Sequence, residues 1–359
     1  MGFKCGLIGL PNVGKSTLFN ILTESNVSSE NYPFCTIKPN SAFVPVQDNR
    51  LMQLQKIVRS KLIIPNTIEF VDIAGLVKNA HKGEGLGNQF LQNIKDVDAL
   101  VHVVRCFINQ DIIHFYDSIN PIRDISVINL ELIYADINTC TIELKKINNN
   151  LKKNVFFHKK TVVLNKCLMH LKQKKMLKDL ILNQEELKEI KILRFLTIKP
   201  VMYIANIGNN LKETVCLKEL ERFCNRHDAH LVKLNIFNNN TLHKNINDND
   251  LITINNYRKN IINKIISTGF QLLKLNTFFT VGIKQIKAWT IEKEKYVTEA
   301  ARKIHSDLKK GFIRAQVISF NDFITCKGEL GAKKTGKYRT EGRKYIVQDG
   351  DIIHILFNI

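Results

Sequence analysis

The chain has no Cys-x-x-Cys pair. Its eight cysteines (Cys5, Cys35, Cys106, Cys140, Cys167, Cys216, Cys224 and Cys326) are scattered, which argues against a zinc site or a disulfide framework and leaves reduced thiols as the expectation. No apolar run approaches the roughly 18 residues of a bilayer-spanning helix, because Lys and Asn interrupt each one. The first residues, Met1-Gly2-Phe3-Lys4-Cys5-Gly6-Leu7-Ile8-Gly9, lack the apolar segment and small-residue cleavage site of a secretory signal. A soluble, cytoplasmic protein with no membrane partner is expected. Acidic residues are scarce as well: 33 Asp plus Glu against 53 Lys plus Arg leave a formal net charge of +20. Such a field attracts polyanions, RNA and ribosomes above all. Richness in Lys, Ile and Asn is also what AT-rich codons produce, so charge alone is weak support for RNA binding.

What is present suits an ordinary globular protein. With 359 residues, 44% hydrophobic and 24% charged, two or three folding units are expected. Lys4 to Gly9 reads as a strand and Lys15 to Thr23 as a helix. Further strands are expected at Thr67–Asp72, Ala99–Val104, Val201–Ala205 and His230 to Phe237. Strands alternating with helices predict an α/β fold with a mainly parallel sheet. Residues 127–196 hold no Pro and no Gly and repeat Leu and Ile among Lys, Asn and Glu. This predicts an inserted antiparallel helical hairpin, with Leu180–Leu182 and Leu187–Ile192 in amphipathic segments, either a partner-contacting arm or a plain structural insertion. A polar, Asn-rich stretch through Asn256 reads as a surface loop, and a helix is expected from about Asn256 to Ser267. From Leu275 the pattern is strand (Thr277–Val281), strand (Ile286–Thr290), helix (Val297 to Lys310, with Gly311 as its C-terminal glycine), then strands at Ala315–Ser319 and Ile352–Phe357. That order resembles a ubiquitin-like β-grasp.

The chemistry starts at Gly9-Leu10-Pro11-Asn12-Val13-Gly14-Lys15-Ser16, which fits G-x-x-x-x-G-K-[ST] between an expected strand and an expected helix. Such a loop turns consecutive backbone N–H groups onto phosphate oxygens at a helix N-terminus. Asn12, Val13, Gly14, Lys15, Ser16 and Thr17 are therefore nucleotide-binding candidates, with Lys15 on the β- and γ-phosphates and Ser16 on Mg²⁺. Asp72-Ile73-Ala74-Gly75 is a D-x-x-G about 57 residues further on. There Asp72 is a second Mg²⁺ candidate, and Gly75 is placed to meet the γ-phosphate. Between the two motifs, Thr36 in Asn31-Tyr32-Pro33-Phe34-Cys35-Thr36-Ile37 is the candidate switch threonine on Mg²⁺. Asn12 is either a loop-capping residue or, as in related GTPases with an Asn at this place, a K⁺ ligand beside the phosphates. Leu76 stands where many GTPases have a water-orienting Gln. Asn206-Ile207-Gly208-Asn209 stands where a guanine-reading N-K-x-D is expected. Asn206 either braces the phosphate loop or contacts the base, beside Ile207. Asn209 can donate and accept, which permits adenine without enforcing it.

These segments, together with Asp72–Leu91 and the stretch from FFTVGIKQIKAWTI to VQDGDIIHILFNI, resemble the YchF family, the Obg-like ATPases, over essentially the whole chain. The resemblance implies a G domain (1–126 and 197–274), a helical insertion (127–196) and a C-terminal TGS domain (275–359). It also implies ATPase activity on a GTPase-type fold, association with ribosomes, and a catalytic histidine that matches His114 here. The family commonly carries N-x-x-E after the fourth strand, from which Asn209 departs. Lys333, Lys334, Lys337, Arg339, Arg343 and Lys344 form a basic, glycine-containing loop suited to a phosphate backbone or merely to solvent. DNA is not an expected partner, and nothing demands more than a monomer. Two rival readings stay open: a nucleotide-gated RNA-binding module with vestigial hydrolysis, and a true GTPase.

Overall fold

The computed structural model describes residues 2–24, 40–73, 86–109, 111–116, 118–150, 156–208, 213–236 and 248–358. Thr36, Gly75, Leu76 and Asn209 lie outside the described residues. Along the chain, β1 (Lys4–Ile8) leads to α1 (Lys15–Glu24), β2 (Ser41–Pro45), α2 (Asn49–Val58), β3 (Leu62–Ile64), β4 (Thr67–Asp72), α3 (Leu86–Lys95) and β5 (Ala99–Cys106). Helices α4 (Pro121–Asn150), α5 (Phe156–Lys172) and α6 (Gln184–Ile190) follow, then β6 (Val201–Ile207), α7 (Glu213–Arg226), β7 (Leu231–Leu234) and α8 (Asp248–Leu272). The C-terminal residues supply β8 (Leu275–Val281), β9 (Gln285–Glu292), α9 (Val297–Ile304), α10 (Ser306–Lys310), β10 (Phe312–Ile318), α11 (Phe320–Thr325), α12 (Glu329–Lys334), β11 (Arg339–Glu341) and β12 (Ile352–Phe357). The chain divides into two compact units, residues 4–21 with 70–258, and residues 1–3 with 22–69 and 259–359.

In the first unit the end of β4, then β1, β5, β6 and β7 lie side by side in that order. β5 pairs in parallel with β1 (Leu7 beside Val101) and with β6 (Val101 beside Met202), and all eight of its residues are buried. A central parallel strand is covered on both faces, which is why it reads as a continuous apolar run. Its two polar exceptions are His102 and Arg105. Burial pushes the His102 imidazole down to about 3, so the ring is neutral. Because the strands run the same way, their C-terminal ends share one edge, where ligands of such sheets bind.

Helix α4 starts at Pro121, with the Asn120 Oδ1 accepting from Arg123 N at 2.9 Å to cap it. Leu180–Leu182 are not helical. They precede α6, and Ile181 is solvent-exposed. α6 itself is capped at its start by Asn183, whose side chain and Glu186 form a reciprocal capping box at 2.8 Å each. Asp136 on α4 fastens the returning chain by accepting from Leu196 N (3.0 Å), Thr197 N (2.8 Å) and Thr197 Oγ1 (2.7 Å).

The second unit is built on a sheet ordered β11-β10-β12-β8-β9-β3. Neighbouring residues of a strand point to opposite faces, so Phe278 packs with Phe312, Val317 and Ile353, whereas Phe279 packs with Leu51, Leu54, Ile286 and Phe323. The sheet is thus not confined to residues 275–359: β3 pairs in parallel with β9 (Ile63 beside Ile286), and α2 supplies part of the core on one face. The helix expected over Val297–Lys310 is two helices, since His305 is extended (φ −160°, ψ 146°). Gly311 does end the second one, but not in a left-handed conformation (φ −88°). Its missing side chain is explained by a close approach, because a Cβ there would lie 2.0 Å from the Asn358 carbonyl oxygen. Five of the seven described cysteines are buried, and burial pushes the Cys167 and Cys224 thiols up to about 11, which keeps them protonated.

Candidate nucleotide-binding site

The loop between β1 and α1 is shaped by its backbone. Asn12 (φ 60°) and Gly14 (φ 95°) are left-handed, a conformation that favours glycine and tolerates asparagine. A Cβ on Gly14 would also lie 2.5 Å from Asn206 Nδ2, and one on Gly9 would lie 2.7 Å from the Val103 carbonyl oxygen. Asn206, buried at the end of β6, donates from Nδ2 to Val13 O (2.9 Å) and accepts at Oδ1 from Ile236 N (3.2 Å). The brace is thus in place, while the second Nδ2 hydrogen and the second Oδ1 lone pair leave the amide capacity for a base contact as well.

Lys15 opens α1 and Asp72 closes β4; the Lys15 ammonium is ion-paired with Asp72 Oδ1. Ser16 is exposed and Thr17 half-buried in the first turn of the helix, where backbone N–H groups have no partners within the helix and the dipole favours anions. Among the described residues no cluster of three or more His, Cys, Asp or Glu side chains forms a metal cage. The Ser16 hydroxyl and Asp72 carboxylate are hard oxygen donors of the kind that hold Mg²⁺ together with phosphate and water. The residues present therefore fit that ion.

A second loop leaves the same edge after β5. Arg105, buried, turns back along it and donates from Nε to Phe107 O (3.3 Å) and from Nη2 to Asn109 O (3.1 Å) and Ile112 O (3.0 Å), while its guanidinium lies over the Phe107 ring. Asn12 Nδ2 donates to Ile113 O at 3.1 Å, which ties the phosphate loop to this one. His114 is buried. Its Nδ1 accepts from Tyr116 N (3.0 Å), so the proton sits on Nε2 and is donated to Asp124 Oδ2 (3.0 Å). Arg123 donates to Asp124 Oδ1 and to Ser118 O, with its guanidinium over the Tyr116 ring.

One sheet edge thus gathers Asn12, Val13, Gly14, Lys15, Ser16, Thr17, Asp72, Asn206 and Ile207. His114 lies on a loop of that edge, but both ring nitrogens are engaged internally. Arg105 and Asp124 were not anticipated. The signal for Arg105 was a charge closing an apolar strand, and for Asp124 an acid in the first turn of a helix opened by Asn-Pro.

A family model described as 50S ribosome-binding GTPase matches residues 4–166. A YchF GTPase C-terminal model, described as a protein of unknown function, matches residues 275–358. The curated protein "Ribosome-binding ATPase YchF" of Buchnera aphidicola subsp. Schizaphis graminum is 50% identical over the full length of both chains. The chain belongs to the YchF family. The YchF protein of Escherichia coli O157:H7, which carries the same name, is 47% identical, again over both full lengths. The solved "Schizosaccharomyces pombe YchF GTPase" shares 30% identity at a TM-score of 0.82, covering 99% of this chain and 98% of that one. The α/β fold with a P-loop G domain is accordingly that of the YchF family.

Proposed function

We propose that the chain is a ribosome-binding ATPase that hydrolyses ATP in preference to GTP with Mg²⁺, its engagement with ribosomes set by the nucleotide. The observation that carries this reading is the convergence of Lys15, Ser16 and Asp72 on a left-handed loop braced by Asn206. Relatives named as ribosome-binding ATPases, at half identity over the whole chain, support it.

The loop N–H groups and Lys15 hold the β- and γ-phosphates, and Lys15 leaves Asp72 for the more strongly charged phosphate. Ser16 and Asp72, with Thr36, would hold Mg²⁺, which would neutralise charge on the phosphates. Gly75 meets the γ-phosphate through its N–H, and ordering of Thr36 and Gly75 is the switch. Leu76 cannot orient water, so that task falls to His114, which must first leave its internal partners. Asn12 ties the phosphate loop to Ile113 through Nδ2, as a loop-capping residue would, and its Oδ1 is the atom that would hold a K⁺ ion. With no guanine-reading acid at 209, discrimination against ATP is weak.

The C-terminal unit is read as a TGS domain. Its basic cluster supports RNA contact less than the sequence suggests. Lys333 pairs with Glu329, Lys337 with Asp322 and Arg339 with Glu341, while Arg343 donates to Phe312 O. A true GTPase is the second reading, favoured by the name of the fission-yeast relative. Titration of purified protein with ATP and GTP tests the choice, and tight GTP binding without ATP binding overturns the ATPase reading. Single-turnover hydrolysis by His114→Ala, with and without ribosomes and K⁺, tests the catalytic assignment; a wild-type rate sinks it.

A further inference from the structure

The loop after β5 inverts the usual burial preference. His114 is 8% exposed, whereas its apolar neighbours Ile113 and Phe115 are 76% and 45% exposed. Polar, titratable side chains are normally outside and large apolar ones inside, so something must hold this loop against its own solvation. The partner is Asp124, whose side chain is 3% exposed and accepts the Nε2 proton of His114 at 3.0 Å. Asp124 is not part of the loop. It stands in the first turn of α4, the 30-residue helix that opens the arm, and at about 1.5 Å per residue that helix is a lever of roughly 45 Å.

We propose that Asp124 is a positioning residue that latches His114 into the protein interior, so that hydrolysis begins only when the first turn of α4 lets go. The proposal rests on the reading of His114 as the water-orienting group. Two further contacts hold the latch shut. Arg123 grips the other Asp124 oxygen (3.1 Å) and, through Ser118 O (2.6 Å) and the Tyr116 ring, the segment whose N–H donates to His114 Nδ1. Arg105 fixes the loop from the strand side through the carbonyls of residues 107, 109 and 112. The Asn12–Ile113 bond keeps the released histidine within one residue of the phosphate loop. Release therefore needs a swing of residues 113–115, which turns Ile113 and Phe115 inward as His114 turns out. A partner that grips the arm acts on the same rigid helix that carries Asp124. Ribosome binding and hydrolysis are then coupled by one hydrogen bond.

The test uses the full-length protein and two readouts: steady-state ATP hydrolysis with and without purified ribosomes, and the rate of His114 carbethoxylation by diethyl pyrocarbonate, followed by mass spectrometry. In Asp124→Asn, kcat without ribosomes rises about tenfold or more, the gain expected if the open state was populated at about 10% or less. KM stays within about twofold, ribosomal stimulation shrinks by the same factor as the gain, and His114 labels faster. Arg123→Ala shifts all of these the same way by less, and it stands in should Asp124→Asn not fold. The double variant His114→Ala/Asp124→Asn shows no gain over His114→Ala. A fall of kcat in Asp124→Asn to the level of His114→Ala overturns the latch, because Asp124 would then be supporting the histidine in catalysis. Unchanged labelling in both variants overturns it as well. Labelling needs no turnover, so a wild-type rate in His114→Ala would remove the catalytic role of His114 while leaving the latch to be judged by labelling alone.

Discussion

Two loops leave the same edge of the parallel sheet, and they are held by opposite means. The loop after β1 is fixed by backbone geometry, with two left-handed residues, two glycines that nothing larger can replace, and one buried amide behind them. The loop after β5 is fixed by side chains, namely Arg105 on three carbonyls and His114 on Asp124. Backbone geometry has few alternatives, because φ and ψ are limited by sterics. Side-chain pairs can exchange partners. The first arrangement suits a cradle that must be ready before its ligand comes, the second a part that must change state.

The comparison breaks most readily at Gly14. In Gly14→Ala a left-handed φ of 95° is strained and the new Cβ meets Asn206 Nδ2. A strain of about 3 kcal/mol predicts roughly a hundredfold loss of ATP affinity in a fluorescent-nucleotide titration. Asn206→Ala comes next. It leaves Val13 O and Ile236 N without their partner, which should lower unfolding stability by about 2 kcal/mol in urea and weaken ATP binding too.

His102 sharpens the contrast through the strand beneath the second loop. Its folded-state value of about 3 lies below the usual histidine range, because burial disfavours the charged ring. The unfolded chain therefore binds the extra proton, so stability is full above about pH 6.5 and falls as the pH drops from there toward about 3. The slope is at most about 1.4 kcal/mol per pH unit, and His102→Leu should flatten it in urea denaturation at pH 5 against pH 7.

The smallest effect belongs to Arg105→Met. Replacing a buried charge by an apolar chain of similar length should change global stability by less than about 1 kcal/mol. Hydrogen exchange should nevertheless rise over residues 107–114 and stay unchanged in the phosphate loop. An equal rise in both loops would abolish the distinction between them.

Much of this was readable from the sequence where pattern is local. The strands at Thr67–Asp72 and Ile352–Phe357 run between the expected residues, because an apolar run or alternation needs only its own few residues to declare itself. The phosphate loop was readable for the same reason, since its glycines serve the conformation of the segment that contains them. The role of Asn206 was not decided by its own segment, because its partners are Val13 and Ile236. The break at His305 was hidden because Lys303-Ile304-His305-Ser306 carries neither Pro nor Gly to mark it. β3 was missed because three residues are too few to show a period, and its partner strand is far along the chain.

That last strand sets a timetable. The register pairs Leu62 with Gln285, so about 220 residues of synthesis separate the two halves of one ladder. At roughly 5–20 residues per second, Leu62–Ile64 emerge some 10–45 s before the strand they pair with. During that interval the segment has no ladder partner in β9, and the first unit can form in the meantime from residues made earlier. A fragment that begins at Leu275 would meet the converse situation for as long as it exists: β9 would present an unpaired flank, an open template for any extended chain nearby. Adding residues 40–66 in trans should close it.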